Sequence, residues 1–286
     1  MIHSDIWGPC RTSTYSGKKW FVTFIDDHTR LSWVYLMKEK YEVETLFKKF
    51  YTMVQTQFQK NIQILRSDND REYFKNILGQ FFLEKGIVHQ SSCVDTPQQN
   101  GLAERKNKHL LEVARALLFT NKVPKYLWGE AVLTATYLIN RTPNKVLSFE
   151  TPFDVFHKFY PTNRLSSSLP LKIFGCTAFV HIHSHNRGKL EPQATKCVFV
   201  GYAPTQKGYK CFEPISKKMF VTMDVTFFEL HPYFTPHLQG GTKTKIRLCF
   251  MIFSKLKTCK MILLQLRLFN LKTQALLYQE KVRQVF

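Results

Sequence analysis

The sequence predicts an α/β domain with a mixed sheet, followed by a small all-β domain. In the first half of the chain, three strand-like runs rich in aromatic and β-branched residues precede alternating helical and strand-like segments. From about residue 171, short β-like runs alternate with turns that contain Gly, Pro and Asn, which is typical of a small barrel. Hairpin-linked strands followed by strand–helix crossovers favour a mixed sheet with helices packed on it.

The first domain is predicted element by element from the spacing of its apolar residues. Helical spacing of three and four residues is clearest between Val43 and Phe58, where apolar side chains form one stripe. Gly86 ends a shorter helix, and Pro124 separates two longer ones. The predicted strands are 2–8, 18–27, 30–37, 61–68 and 87–92, and the predicted helices are 42–58, 76–86, 102–121 and 126–140.

Changes in composition divide the chain into four parts. Residues 1–145 form the α/β domain, and residues 146–170 are a connector punctuated by Pro and Ser. Residues 171–230 form the small β-barrel. Residues 231–286 form a basic tail whose only acid is Glu280 and whose apolar residues follow no clear period, so we expect it to pack poorly.

The charge and cysteine content restrict the function classes. Lys and Arg total 41 against 21 Asp and Glu, a net charge of +20, which indicates a polyanionic partner, nucleic acid first and an anionic membrane second. The seven cysteines are scattered without a CxxC pair, which argues against a disulfide framework or a zinc site and for a reducing compartment. The N-terminus does not resemble a signal peptide and no run of 18 apolar residues occurs, so we expect neither secretion nor a membrane span.

Three acidic residues are candidates for metal-assisted chemistry on phosphodiesters. Asp5 and Asp68 lie near the ends of predicted strands, and Glu104 lies in the first turn of a helix that follows the polar stretch DTPQQNG. Carboxylates can hold the two divalent metals of such a site, and Mg²⁺ prefers oxygen ligands. Other roles stay open from the residues alone. Glu104 could be a favourable partner of the helix dipole, Asp5 a cap, and the basic run after Glu104 a solvated helix face.

Several longer motifs resemble one family. The stretches IHSDIWGP, LRSDND, TPQQNGLAERKNKHLLEVARALL and LWGEAVLTATYLINRTP resemble the integrase of copia-type long-terminal-repeat retrotransposons. The stretches FGCTAFVHI, KLEPQATKCVFVGY, KGYKCFEP and VTMDVTFFE resemble the Src-homology-3-like barrel that follows the integrase core in the same polyproteins. The resemblance implies a ribonuclease-H-like catalytic core over 1–145 and the small barrel over 171–230.

The same resemblance implies roles for individual residues. The three catalytic acids of the family, which hold Mg²⁺ or Mn²⁺, fall on Asp5, Asp68 and Glu104. The loop before Glu104 corresponds to a mobile flap beside the active site, with Gly101 as its hinge. The residues expected to contact DNA are Gln98, Gln99, Asn100, Arg105, Lys106 and Lys108.

The function implied is DNA integration. The enzyme would process retroelement ends and join them to target DNA, acting as a homo-oligomer in the nucleus after a cytoplasmic particle stage. One alternative is a non-catalytic nucleic-acid-binding relic of the same fold. A ribonuclease H proper is less favoured because the loop before Glu104 is integrase-like.

Departures from the family pattern predict weak strand joining. Asp70 and Arg71 stand where the family has two glycines, so we expect strain beside the metals. The zinc-binding module that precedes the family's core is absent, and the chain begins inside the first predicted strand. After about residue 241 the resemblance stops, and the tail has the composition of a shifted or unrelated reading frame. The sequence therefore predicts a chain that binds DNA but joins strands poorly.

Overall fold

The computed structural model describes residues 1–74, 76–93, 97–161 and 169–234. Most of the predicted tail therefore lies outside the described residues, and its poor packing stays a prediction. The last described strand reaches Pro232, two residues beyond the predicted end of the small β-domain.

The first sheet has five strands and is mixed, as the sequence predicts. The central strand β1 pairs antiparallel with β2, which pairs antiparallel with β3, while β1, β4 and β5 run parallel. The spatial order is β3-β2-β1-β4-β5. The strands are β1 Ile2–Trp7, β2 Trp20–Asp26, β3 Ser32–Met37, β4 Ile64–Ser67 and β5 Val88–Ser91.

Helices cover both faces of this sheet because its strands bury side chains on both sides. Phe24 of β2 packs with the apolar stripe of α1, and its ring stacks on Phe50 at 4.6 Å between centroids. Phe21, on the opposite face, packs with α3 and α4. The helices are α1 Val43–Phe58, α2 Asn76–Lys85, α3 Gly101–Thr120, α4 Trp128–Asn140 and α5 Pro152–Phe159. No helix in the described ranges has the length and apolarity needed to cross a bilayer.

The connector predicted over 146–170 contains the helix α5, which the sequence analysis did not predict. Thr151 caps it by accepting a hydrogen bond from the Asp154 backbone N–H at 3.0 Å, and Pro152 occupies the first turn, where its missing N–H costs nothing. Phe156 is 3% exposed and packs against Trp33. A segment that resembles a linker in composition is therefore part of the core of the first domain.

The second sheet has five strands, all antiparallel, in the order β10-β6-β7-β8-β9. The β-like stretch KMFVTMDVTFFE, residues 218–229, contains parts of two strands, because residues 223–224 make the turn between them. The core of the second sheet contains Phe199, Tyr209 and Phe227, whose rings meet edge to face. The strands are β6 Cys176–His181, β7 Ala194–Tyr202, β8 Tyr209–Glu213, β9 Lys218–Thr222 and β10 Val225–Pro232.

The two sheets share one apolar cluster through α4. Side chains of α3, α4 and β2 pack with Val198, Val200 and Phe212 of the second sheet. The Thr134 hydroxyl donates to the Val200 carbonyl at 3.0 Å.

Polar and aromatic contacts surround this shared cluster. The rings of Tyr137 and Tyr202 stack with centroids 3.9 Å apart, and Lys210 pairs with the buried Glu130. Gly201 approaches Thr134 so closely that a Cβ would overlap the hydroxyl. The second sheet is therefore docked on the first domain rather than suspended from a connector.

Candidate active site

Two aspartates lie side by side on the two central parallel strands. Asp5 is the fourth residue of β1, and Asp68 directly follows β4. The strands pair in parallel with His3 opposite Arg66, so the same register extended by two residues sets Asp5 beside Asp68. Neighbouring strands lie about 4.7–4.9 Å apart, and paired residues project to the same face. The sheet thus brings together two acids that are far apart in sequence.

The helix α3 carries the third acid, and a buried asparagine docks that helix on the sheet. Asn107 donates its amide N–H to Asp5 Oδ2 at 2.9 Å and accepts from the Thr23 hydroxyl at 2.6 Å. Glu104 lies three residues earlier and therefore on the same helical face. Its side chain is exposed, so it borders the pair of aspartates from the solvent side.

The pKa of Asp5 shows how closely the acids approach. Burial, followed by the negative charges of Asp68 and Glu104, raises the pKa of Asp5 to about 7, against the lowering effect of the hydrogen bond from Asn107. This carboxyl is half protonated near neutral pH unless a cation compensates the neighbouring charges. The site therefore has an electrostatic preference for a cation.

Asp68 has its own set of charged neighbours. Burial, together with the charges of Asp70 and Glu104, raises its pKa to about 6, against the lowering effect of Lys40. The Lys40 Nζ lies 2.6 Å from Asp70 Oδ1, so this cation is already engaged beside Asp68. The Asp70 backbone N–H donates to Asp68 Oδ1 at 3.3 Å, which fixes the orientation of that carboxyl.

The expected strain at Asp70 and Arg71 is not observed. The described residues with a left-handed backbone conformation, which favours glycine, do not include Asp70 or Arg71. Arg71 begins a short 3-10 turn with an exposed side chain, and Asp70 forms its ion pair with Lys40. The turn accommodates both side chains, so any effect on the site comes from their charge.

Behind the aspartates, a tyrosine closes the site. Tyr73 is 1% exposed, and its hydroxyl lies 2.5 Å from the hydroxyl of Ser4 in β1. Burial raises the pKa of Tyr73 well above its usual value, so the phenol stays neutral. Its ring belongs to the apolar core that contains α1 and α2, on the opposite face of the sheet from the Asp5 side chain, because Ser4 and Asp5 alternate along β1.

One of the residues expected to face DNA lies inside the molecule. Asn100 has no exposed surface and donates its amide to the Ser4 carbonyl at 3.0 Å, so the expectation of a DNA contact is corrected. Gln99 is exposed, and its side-chain oxygen accepts from the Cys93 backbone N–H at 3.0 Å. The side chain of Gln98 lies outside what the structure describes.

The basic residues of α3 have different surroundings. Arg105 and Lys108 are exposed and available for phosphates. Lys106 is half-buried, donates to the Arg30 carbonyl at 3.3 Å, and has a pKa lowered by burial to about 8. Lys106 is therefore a weaker candidate for a phosphate contact than the other two.

Gly101 is the first residue of α3 and is buried. Its backbone is not left-handed, and a Cβ there would meet only the end of the flexible Arg105 side chain. Its hinge role stays a prediction.

Comparisons with known proteins agree with the two-part architecture. Residues 1–97 match the integrase core domain, and residues 176–239 match the retroviral polymerase SH3-like domain. Homologues of the chain are retrovirus-related Pol polyproteins from plant transposons.

Plant transposons supply similar relatives. The chain is 41% identical over 229 residues to the Pol polyprotein from transposon TNT 1-94 of Nicotiana tabacum, covering 80% of this chain and 17% of that protein. It is 34% identical over 228 residues to the polyprotein from transposon RE1 of Arabidopsis thaliana, covering 80% of this chain and 15% of that protein. The chain thus spans about a sixth of the length of these relatives.

Two solved viral structures are also similar. The HTLV-2 integrase catalytic core domain in complex with magnesium gives a TM-score of 0.41 at 17% identity, covering 55% of this chain and 95% of that one. A chain of the simian T-cell lymphotropic virus intasome in complex with PP2A regulatory subunit B56 gamma gives 0.45 at 14% identity, covering 82% and 79%.

The donor types of the three candidate acids suit a hard divalent cation, although the site is not assembled. In the described ranges, no three His, Cys, Asp or Glu side chains already have the spacing of a metal centre. Asp5, Asp68 and Glu104 offer only carboxylate oxygens, which Mg²⁺ and Mn²⁺ prefer. The exposed Glu104 is the side chain whose rotation would complete the set.

Sequence analysis did not identify Asn107, Thr23, Ser4 or Tyr73. Asn107 could have been found, because it lies one helical turn after Glu104 on the same face and interrupts an otherwise charged or apolar pattern. The other three belong to strand or loop positions whose partners are distant in sequence. Only the folded chain identifies them.

Proposed function

We propose that this chain is the DNA-integrating module of a copia-type element, joining element ends to target DNA in a divalent-metal-dependent reaction. The observation that carries the proposal is the pair Asp5 and Asp68 on adjacent parallel strands, with Glu104 close enough to raise both of their pKa values. The integrase core match supports the reaction class.

In this proposal, Asp5, Asp68 and Glu104 hold Mg²⁺ or Mn²⁺. When bound, the metals would supply activation of the attacking oxygen and stabilisation of the leaving oxygen of a phosphodiester. The chain's own residues prepare this site. Asn107 orients the Asp5 carboxyl, and the Asp70 backbone N–H orients the Asp68 carboxyl.

DNA binding rests on charge. Arg105 and Lys108 are exposed on the helix that carries Glu104, so they can hold phosphates next to the reacting bond. The net charge of +20 provides additional attraction that does not depend on sequence. The partners are the element ends and target DNA, the working form is a homo-oligomer that holds two ends, and the place of action is the nucleus.

A strand-transfer assay tests the proposal. Labelled element-end oligonucleotides are mixed with supercoiled plasmid in Mg²⁺ or Mn²⁺, and joined products are counted. Asp68→Asn and Glu104→Gln should abolish joining while duplex binding persists. Glu112→Gln, two turns further along α3, is the matched control and should leave joining unchanged. Joining that survives Asp68→Asn would reject this site.

One observation favours the alternative of a non-catalytic DNA-binding relic. The ion pair of Lys40 with Asp70 places an additional carboxylate and the ammonium group of Lys40 beside Asp68. The unmodified chain could bind duplex DNA without joining it. In that case, the double substitution Asp70→Gly with Arg71→Gly tests whether these two side chains inhibit the site or whether catalytic activity has been lost for another reason. Restored joining indicates a block by charge, whereas continued inactivity favours the relic. Cleavage of an RNA–DNA hybrid in the same samples would instead indicate a ribonuclease H.

A further inference from the structure

Away from the carboxylates, three histidines form a cluster at the end of β6. His181, His183 and His185 alternate along the stretch HIHSHN, and all three are exposed. His183 has an extended backbone, so alternate side chains leave the chain on the same side. The His181 and His183 ring centroids lie 5.6 Å apart, and those of His183 and His185 lie 5.9 Å apart.

A carboxylate lies next to these rings. Asp224 lies opposite His181 across the β6–β10 pairing, since Val225 pairs with Val180, and the His181 N–H donates to the Asp224 carbonyl at 3.0 Å. Its Oδ2 lies 3.5 Å from the His183 Nε2. The backbone between His181 and His183 is also held by the residue before β7, because the Ile182 N–H donates to the Gln193 carbonyl at 2.8 Å.

We propose that His181, His183, His185 and Asp224 form a zinc-binding site on the second sheet. Three imidazoles and one carboxylate match the donor types and the number of four-coordinate zinc sites. Two imidazoles on one tetrahedral zinc, with Zn–N of about 2.0–2.1 Å, place their ring centroids ~5 Å apart. The observed centroid separations of 5.6 and 5.9 Å are slightly larger, and side-chain rotation can remove the difference.

The site closes when zinc binds. In the described residues no three such side chains already lie at ligand spacing, so the exposed rings turn inward around the ion. Imidazole donors select late divalent metals over Mg²⁺, so this site is separate in chemistry and place from the carboxylates of the first sheet. Bound zinc would fasten the end of β6 to the turn between β9 and β10.

Zinc titration of the full chain in excess Mg²⁺ tests the proposal, since Mg²⁺ competes at oxygen donors. We expect one equivalent to bind with a dissociation constant in the low micromolar range or below, and to raise the melting temperature. His183→Gln and His185→Gln should each weaken this binding at least tenfold. His231→Gln, an exposed histidine on β10, is the matched control and should leave it unchanged.

Cobalt provides a second readout that does not depend on stability. Co²⁺ in place of zinc should give the intense visible absorption of tetrahedral coordination, and His183→Gln should remove it. Zinc binding that is equally tight in His183→Gln would place the ion on cysteines or carboxylates and overturn the proposal. Absence of a bound equivalent at 100-fold excess over about 1 µM protein would overturn it as well.

Discussion

At the scale of single residues, the carboxyl of Asp5 destabilises the metal-free protein. Its pKa is about 7 in the folded chain against an ordinary 3.8, because burial and the neighbouring acids disfavour the charged form. The folded state binds this proton more tightly than the unfolded state. The contribution of Asp5 to the free energy of unfolding therefore falls as the pH rises from 3.8 to about 7.

Asp5→Asn should consequently stabilise the protein at pH 8 in the presence of a chelator. We expect the free energy of unfolding to rise by about 1–3 kcal/mol, since each pKa unit corresponds to about 1.4 kcal/mol and the site relaxes in part. The gain should shrink at pH 4, where Asp5 is neutral. Urea unfolding at both pH values measures it.

Asp27→Asn is the matched control, and its expected effect on the free energy of unfolding has the opposite sign. Burial raises the pKa of Asp27, but the hydrogen bond and charge of His3, with Arg30, outweigh it and lower the pKa overall. Removing that carboxylate should destabilise the protein at pH 8. A destabilised Asp5→Asn protein under chelator would contradict the electrostatic account of the site.

The sequence singles out three candidate acids but not the groups that orient the two aspartates. Asp68 and Glu104 are recognisable because a strand end and a helix start are readable from local patterns, whereas Asp5 lies inside β1 and not near its end as predicted. Asn107 shares a helical face with Glu104, which marks it as a candidate, but nothing local shows that its partner is Asp5, 102 positions away. Asn100 illustrates the opposite error, since a polar residue in a polar loop is completely buried.

At the scale of elements, α5 shows that composition can conceal a helix. Its Pro, Thr and Asp occupy capping positions, which read locally as loop signals. Its amphipathic stripe is only two turns long, too short to be recognised by period. What makes it a helix is the tertiary contact of Phe156 with Trp33 and Phe58.

Phe156→Ala should therefore destabilise the first domain. The side chain is 3% exposed, and truncation of a buried Phe costs about 3–5 kcal/mol through lost burial and a cavity. Phe159→Ala on the same helix is the control, because Phe159 is 57% exposed and its loss should cost below about 1 kcal/mol. Chemical unfolding of both variants measures the difference. Equal costs would show that α5 is not anchored through Phe156.

At the scale of the whole molecule, the two sheets share one apolar cluster, and the sequence does not reveal this. The two domains are recognisable separately because each has its own strand and helix pattern. Their docking depends on Val198, Val200 and Phe212, which look like ordinary barrel core. No periodicity distinguishes a side chain that packs within its sheet from one that packs against another domain.

A substitution in the second sheet that disrupts the shared cluster should therefore lower the stability of the first domain. All four tryptophans lie within residues 1–128, so their fluorescence follows the unfolding of the first domain, with Trp7 and Trp128 also bordering the shared cluster. Phe212→Ala should lower the midpoint of that fluorescence transition, consistent with a cost of about 3–5 kcal/mol. Phe228→Ala, at 46% exposure on β10, should leave it nearly unchanged. An unaltered midpoint for Phe212→Ala would mean that the units unfold independently.

The overall charge leads to a prediction for DNA binding. The logarithm of the affinity for a duplex should fall linearly with the logarithm of the salt concentration, because Lys and Arg release counterions from phosphates. Lys108→Ala should reduce that slope by about 1, and Lys217→Ala, in the turn between β8 and β9, should not. Fluorescence anisotropy at several salt concentrations measures both. A flat dependence would exclude phosphate contacts as the source of affinity.

The close approach of Gly201 to Thr134 limits how integrase modules can be recombined. Gly201 has φ +136°, a backbone conformation that side chains rarely adopt, and the Thr134 hydroxyl fills the space where a Cβ would stand. A chimaera that joins a second sheet from one element to a catalytic core from another must therefore preserve both positions together. The two units can be exchanged as a matched pair, and a boundary drawn through the connector alone would separate residues that fit only each other.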